Sequence, residues 1–277
     1  MNFLWQLFRT TAPLLVTSTG VLVSEYAGVM AIFADGFISL GGFLSYCFMV
    51  QTGSPFVSVF FSTAICTVLG YGAAFVTQKL RANPFLTGLA LNIAVTGIIS
   101  FLSVVFFGTR GVLASSQYNL PEGAVSGMVW CAWFLSLLVV LMLVFTKAGT
   151  YIRITGSAPE VMKVRGLSPE RWKSVSWAIA AFCAAFAGNL LSMHLGSFVP
   201  NLSAGRGWTA LAAVFLGRKK AYGVFLGVLV FGLAEYVGNN VQRIAFFENV
   251  PSALLLTLPY IAALLLIGGS KSQKTTE

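Results

Sequence analysis

The chain has 277 residues, 57% of them apolar and only 9% charged, with a net charge of +9. A soluble domain carries about 25% charged residues, so the composition argues against an ordinary soluble enzyme, a disordered chain or a disulfide-stapled secreted module. A nucleic-acid-binding domain is equally disfavoured, because its cations need a water-exposed face and a chain with 24 phenylalanines has little of one. The composition fits an all-α polytopic membrane protein, read as a single transmembrane domain over 1–277.

A spanning helix takes about 20 largely apolar residues. The apolar runs here, such as 130–144 and 253–267, are long and unbroken, unlike the ~10-residue alternating strands of a membrane barrel. Spans are predicted near 10–24, 36–52, 56–78, 85–107, 127–146, 174–194, 207–217, 221–238 and 252–269. The segment 207–217 is too short to cross alone and is read with 196–206 as one broken crossing. The first eight residues carry no positive charge, so no cleavable signal is expected.

Basic residues set the expected orientation. Lys79 and Arg81, six cations between Lys147 and Lys173, the run Arg218, Lys219, Lys220, and the pair Lys271 and Lys274 account for 13 of the 17 Lys and Arg. The positive-inside rule places these four segments in the cytoplasm. Parity then gives about nine crossings, with the N-terminus outside and the C-terminus inside. Arg110, Glu122, Arg243 and Glu248 fall at the outer face, as do Glu235 and His194.

Within the spans, ionisable and amide side chains are functional candidates by default. Glu25 and Asp35 bracket a glycine-containing break, expected as a turn towards the cytoplasm between the first two spans. Asn92 and Asn189 offer amides to a solute or to a neighbouring helix. Phe43, Phe85, Phe198 and Trp208 offer rings for stacking, or simply for packing. Cys47, Cys66, Cys131 and Cys183 lie within predicted spans without C-x-x-C spacing and read as packing residues. No phosphate-binding loop or nucleophile elbow occurs. His194 and Asp35 are each the single residue of their kind, which leaves no two-histidine metal site and no aspartate pair. Neither a metal nor a cofactor is expected on this chain. The rivals left open are an ion-driven secondary transporter and an intramembrane hydrolase using His194.

The densest charge lies in 147–173. Its middle reads as a short helix, with Ser157 as cap, Pro159 and Glu160 in the first turn and Gly166 as the stop. Such a helix presents Val161, Met162 and Val164 to a partner groove; the alternative is a solvated, positively charged loop.

This loop resembles the cytoplasmic coupling loop of ABC-importer permeases of the branched-chain amino acid, ribose and nucleoside group. The resemblance is carried by Gly149, Arg153, Thr155–Gly156–Ser157–Ala158–Pro159, Glu160 and Arg165–Gly166–Leu167. It continues in Ala187–Gly188, in Ser203–Ala204–Gly205–Arg206–Gly207–Trp208 (T-A-G-R-G-F in the family) and in Leu211–Ala212–Ala213–Val214–Phe215–Leu216–Gly217–Arg218. Ser24–Glu25–Tyr26–Ala27–Gly28–Val29 is similar to the nucleoside branch's S-E-R-A-G-V. Where the family has N-I-G-L-E-G, Ala31–Ile32–Phe33–Ala34–Asp35–Gly36 lacks the asparagine and shortens the acid. The resemblance implies a permease in the bacterial cytoplasmic membrane that pairs with a second copy or a sister permease. It also implies an ATP-binding subunit, carrying ATP and magnesium, and an extracytoplasmic substrate-binding lipoprotein. The implied coupling residues are Arg153, Thr155, Gly156, Pro159, Glu160, Val164, Gly166 and Leu167. The implied pathway and gate candidates are Glu25, Asp35, Asn92, Asn189, Phe198, Ser203 and Trp208. A nucleoside is the expected solute; riboflavin, a simple sugar and branched-chain amino acids follow.

Overall fold

The computed structural model describes residues 3–118 and 120–240. The predicted span at 252–269, with Arg243, Glu248, Lys271 and Lys274, lies outside the described residues. In chain order the elements are α1 (Phe3–Tyr26), α2 (Ala34–Thr52), α3 (Pro55–Lys79), α4 (Pro84–Phe107), β1 (Leu113–Ala114), α5 (Glu122–Phe145), α6 (Lys147–Ser157), α7 (Pro159–Val164), α8 (Pro169–Leu195), β2 (Ser197–Phe198), α9 (Arg206–Leu216) and α10 (Ala221–Asn240). A single 3-10 turn, Ser116–Tyr118, precedes α5. Proline opens α3, α4, α7 and α8, where its missing N–H costs no helical bond.

Helices α3, α4, α5, α8 and α10 are each long and apolar enough to cross a membrane. The chain is a multi-pass membrane protein. The apolar windows of α3, α4 and α5 are only 28%, 17% and 28% buried within the protein, against 67% for α8. Helix α8 is therefore central, and it packs against α1, α2 and α3. Helices α1 and α2 are as long as spans but more polar, and that polarity is turned inward: Thr17, Ser18, Ser24, Glu25, Ser39 and Ser45 are all buried. Lipid tails are as apolar as leucine, so helices in a membrane associate through close packing of small residues. Ala181, Ala184, Ala185 and Gly188 provide that surface on α8, and Gly188 lies so close to the Ile38 carbonyl that no side chain would fit.

The bundle has two distinguishable ends. At one, β1 pairs antiparallel with β2, Leu113 opposite Phe198. At the other lie α6, α7 and the turn between α9 and α10.

The segment predicted as a broken crossing is a non-helical stretch followed by a short helix. Residues 196–205 carry β2 and then a non-helical stretch whose Leu202 and Ser203 are buried, and α9 starts at Arg206. The break between the first two helices differs from expectation. Residues 27–33 are non-helical yet mostly buried. Helix α1 ends beside the turn that follows α9, whereas α2 begins beside the start of α9. The eleven residues of α9 span about 16 Å at 1.5 Å per residue. Glu25 and Asp35 thus sit at opposite ends of α9, and the break runs between them through mostly buried positions.

Candidate functional site

Helix α9 is held at both ends by an intramembrane acid. Its N-cap, Gly205, has no side chain to accept the first free N–H groups. Asp35, on α2, supplies that acceptor: Oδ1 accepts the Gly207 N–H at 3.0 Å and Oδ2 accepts the Ser203 hydroxyl at 2.9 Å. The carboxylate therefore meets the positive end of the helix dipole. The Ser203 N–H in turn donates to the Ser39 hydroxyl at 3.3 Å. Past the other end, Lys219 Nζ lies 2.9 Å from Glu25 Oε2, and the Glu25 side chain is only 3% exposed. The second Glu25 oxygen has no hydrogen-bond partner. Arg218 and Lys219 adopt φ of +51° and +55°, a left-handed turn that aims Lys219 back at α1.

The break itself is held by Asn92 of α4. Its side-chain N–H donates to the Ile32 carbonyl at 2.8 Å, and its oxygen accepts the Gly36 N–H at 2.8 Å. Both halves of this amide are engaged by backbone. Asn189 is fully buried and accepts the Ser62 hydroxyl at 2.7 Å. Phe198 is packed in the interior against Phe43, with ring centroids 5.3 Å apart, and presents no free face for stacking. Trp208 is 43% exposed on α9. The structure thus gathers Glu25, Asp35, Asn92 and Ser203 around α9 and the break. Asn189 and Phe198 stand elsewhere in the packed interior.

A cavity of about 480 Å³, with charged and amide groups set among apolar walls, opens at the ribbon end between α1, α8 and α10. Gln6, Arg9 and Thr10 line it from α1, His194 from α8, and Arg206 and Glu235 from across. Arg206 and Glu235 form an ion pair. The Tyr236 hydroxyl donates to Gln6 Oε1 at 3.0 Å. Arg9 has a shielded Nε with no hydrogen-bond partner. From the sequence, Arg9 is expected at the outer face, but Gln6, Arg9 and Thr10 are not singled out as a site. The signal was present: they stand at i, i+3 and i+4 on one helical face, and Arg9 is the sole Lys or Arg before Lys79.

At the opposite end, 147–173 departs from its expected form. It contains two helices. Thr146 caps α6 by accepting the Gly149 N–H at 3.2 Å. Ser157 is the last residue of α6 rather than the cap of the next helix, because its hydroxyl donates back to the Arg153 carbonyl at 3.0 Å. Ala158 takes the cap position of α7, with Pro159 and Glu160 opening the helix as expected. Gly166 follows with a φ of +72°. Met162, expected to face a partner, is fully buried against the bundle. Thr155 is buried too, its hydroxyl donating to the Tyr151 carbonyl at 2.8 Å. The face turned outward carries Val161 and Val164, the latter 89% exposed, with Glu160 paired to Lys163 at 3.2 Å. Arg153 is exposed and lies 5.3 Å over the Tyr26 ring. Gly156 abuts the Tyr26 carbonyl and the Gly28 backbone, leaving no room for a Cβ. The exposed platform is therefore in van der Waals contact with the start of the break.

The profile described as "Branched-chain amino acid transport system / permease component" matches residues 3–264. The nucleoside ABC transporter permease protein NupC of Lactococcus lactis is 24% identical over 93% of this chain and 88% of its own length. The guanosine ABC transporter permease protein NupQ of Bacillus subtilis is 23% identical over the same shares. The putative glucose ABC transporter permease protein TsgC13 of Haloferax volcanii is 25% identical over 90% of this chain and 80% of its own length. No solved structure matches the chain. With nearly its whole length matched and its helices arranged as a multi-pass bundle, the chain belongs to the branched-chain amino acid transport system permease family.

Proposed function

We propose that this chain is the permease subunit of an ATP-binding-cassette importer whose solute is a nucleoside. The observation that carries the coupling role is the α6–α7 platform. Val164 stands out from the bundle while Met162 anchors the same short helix to it, and Gly156 touches the backbone of the break. A partner pressing on α7 pushes on α1 and the break without crossing a flexible linker. Arg153, Pro159, Glu160, Val164, Gly166 and Leu167 form or flank the docking face for an ATP-binding subunit. Thr155 supports α6 from beneath. The platform end faces the cytoplasm in this reading, because it carries the dense basic residues of 147–173, and the ribbon end receives solute from an extracytoplasmic binding protein. A second permease, a copy or a sister, completes the transporter. The solute class rests on the similarity to the nucleoside permease NupC and the guanosine permease NupQ.

The test is ATP-dependent uptake in proteoliposomes holding the chain with its ATP-binding subunit, permease partner and binding protein. Labelled nucleoside accumulates only when ATP is present with the ATP-binding subunit. Accumulation driven by an ion gradient without ATP would make the chain a secondary transporter instead.

A further inference from the structure

The ribbon-end cavity has a donor and acceptor pattern that the coupling machinery does not use. Of its two guanidinium groups, one is spent: Arg206 is paired with Glu235. The other, Arg9, is held with its Nε shielded from solvent and unpartnered. Arg9 also lines the cavity, and a guanidinium there is completed by a molecule that brings acceptors. The guanidinium presents parallel N–H groups in a fixed fork, matched by two adjacent acceptors on one planar molecule. Glu235 Oε1 serves Arg206, which leaves its other oxygen for a hydroxyl. The walls between these groups are apolar, Pro13, Val129, Leu190 and Leu191 among them, and suit a flat ring. The volume, about 480 Å³, lies in the usual range for small-molecule sites.

We infer that this cavity is a solute-binding site within the single subunit and that it selects nucleosides with a 6-oxopurine base. The Arg9 fork takes the adjacent O6 and N7 acceptors, and Glu235 accepts a ribose hydroxyl. Adenosine presents an amino group where the fork needs an acceptor, so it binds less well; a well-formed bidentate pair discriminates by about tenfold or more. The inference rests on the nucleoside reading above and adds the base preference and the residues that impose it.

Two measurements test it. In the detergent-solubilised transporter with Cys47→Ser and Cys131→Ser, a cysteine introduced by Thr10→Cys is labelled with a methanethiosulfonate reagent. Inosine is expected to slow labelling, adenosine to need about tenfold more for the same protection, and inorganic phosphate to give none. Equal protection by adenosine, stronger protection by phosphate, or none by inosine overturns the assignment; stronger phosphate protection would mark an anion site. In proteoliposomes, Arg9→Gln is expected to reduce inosine uptake more than adenosine uptake, collapsing the ratio between them by about tenfold. An unchanged ratio overturns the role of Arg9. If the wild-type transporter imports nucleosides while inosine fails to protect position 10, this inference alone falls. If it imports none, the functional reading falls first.

Discussion

Asp35 accepts the Gly207 N–H across 172 positions of sequence, so a carboxylate on α2 caps α9. Replacing it tests whether that cap stabilises the fold. Asp35→Ala is expected to lower stability in detergent by about 1–2 kcal/mol, the usual cost of a lost cap. Asp35→Asn keeps an acceptor and is expected to lose less than half of that. Thermal melts of the two purified variants decide it; equal losses would mean that the charge, and not the capping bond, matters.

Glu25 and Lys219 form the second clasp. Lys219→Met leaves a buried carboxylate without its partner and is expected to cost on the order of 2–3 kcal/mol, somewhat below a fully buried pair because Lys219 is half-exposed. Glu25→Gln in the same chain restores most of the loss. A double-mutant cycle measures the coupling, and additive effects would show that the two side chains do not interact.

Val164 and Met162 occupy one short helix but have opposite surroundings. Val164→Asp is expected to leave the melting temperature within a few degrees and to abolish co-purification with the ATP-binding subunit. Met162→Ala opens a void under α7 and costs about 2–5 kcal/mol. Pull-down and melting of both variants, run side by side, separate docking from anchoring. Loss of binding in neither variant would remove α7 from the interface.

Gly156 transmits whatever α7 receives. Gly156→Ala drives a Cβ against the Tyr26 carbonyl and is expected to reduce ATP-driven uptake more than it reduces assembly with the ATP-binding subunit. Uptake per assembled complex is the readout, and an unchanged value would place the transmission elsewhere.

Much of this architecture was legible in the sequence. The predicted spans 56–78 and 85–107 lie within a residue of α3 and α4, because proline opens each helix and the apolar run closes where polar or glycine residues begin. Helix α6 was not legible. Its residues KAGTYIRITGS are too polar to read as a span, and the Thr146 cap sits directly against the end of α5. Ser157 looked like a cap because it precedes Pro159 and Glu160; the hydroxyl is instead taken by the turn behind it. Glu25 and Asp35 stood out as acids in an apolar setting, but their partners, Lys219 and Gly207, lie far along the chain and no local pattern announces them. The cavity at Arg9 was hidden for a similar reason, since its walls come from five helices.

Asn92 gives α4 an unexpected mechanical standing. This helix has the smallest buried share of the five apolar helices and gains little packing from staying where it is. Among the described residues, Asn92 makes its side-chain hydrogen bonds to another part of the bundle. If α4 drifted outward, the Ile32 carbonyl and the Gly36 N–H would be orphaned inside the bilayer, at a cost of several kcal/mol each. The helix is thus an outrigger, moored by one amide to the non-helical backbone near the start of α2, and the two must travel as a single part whenever the bundle changes shape.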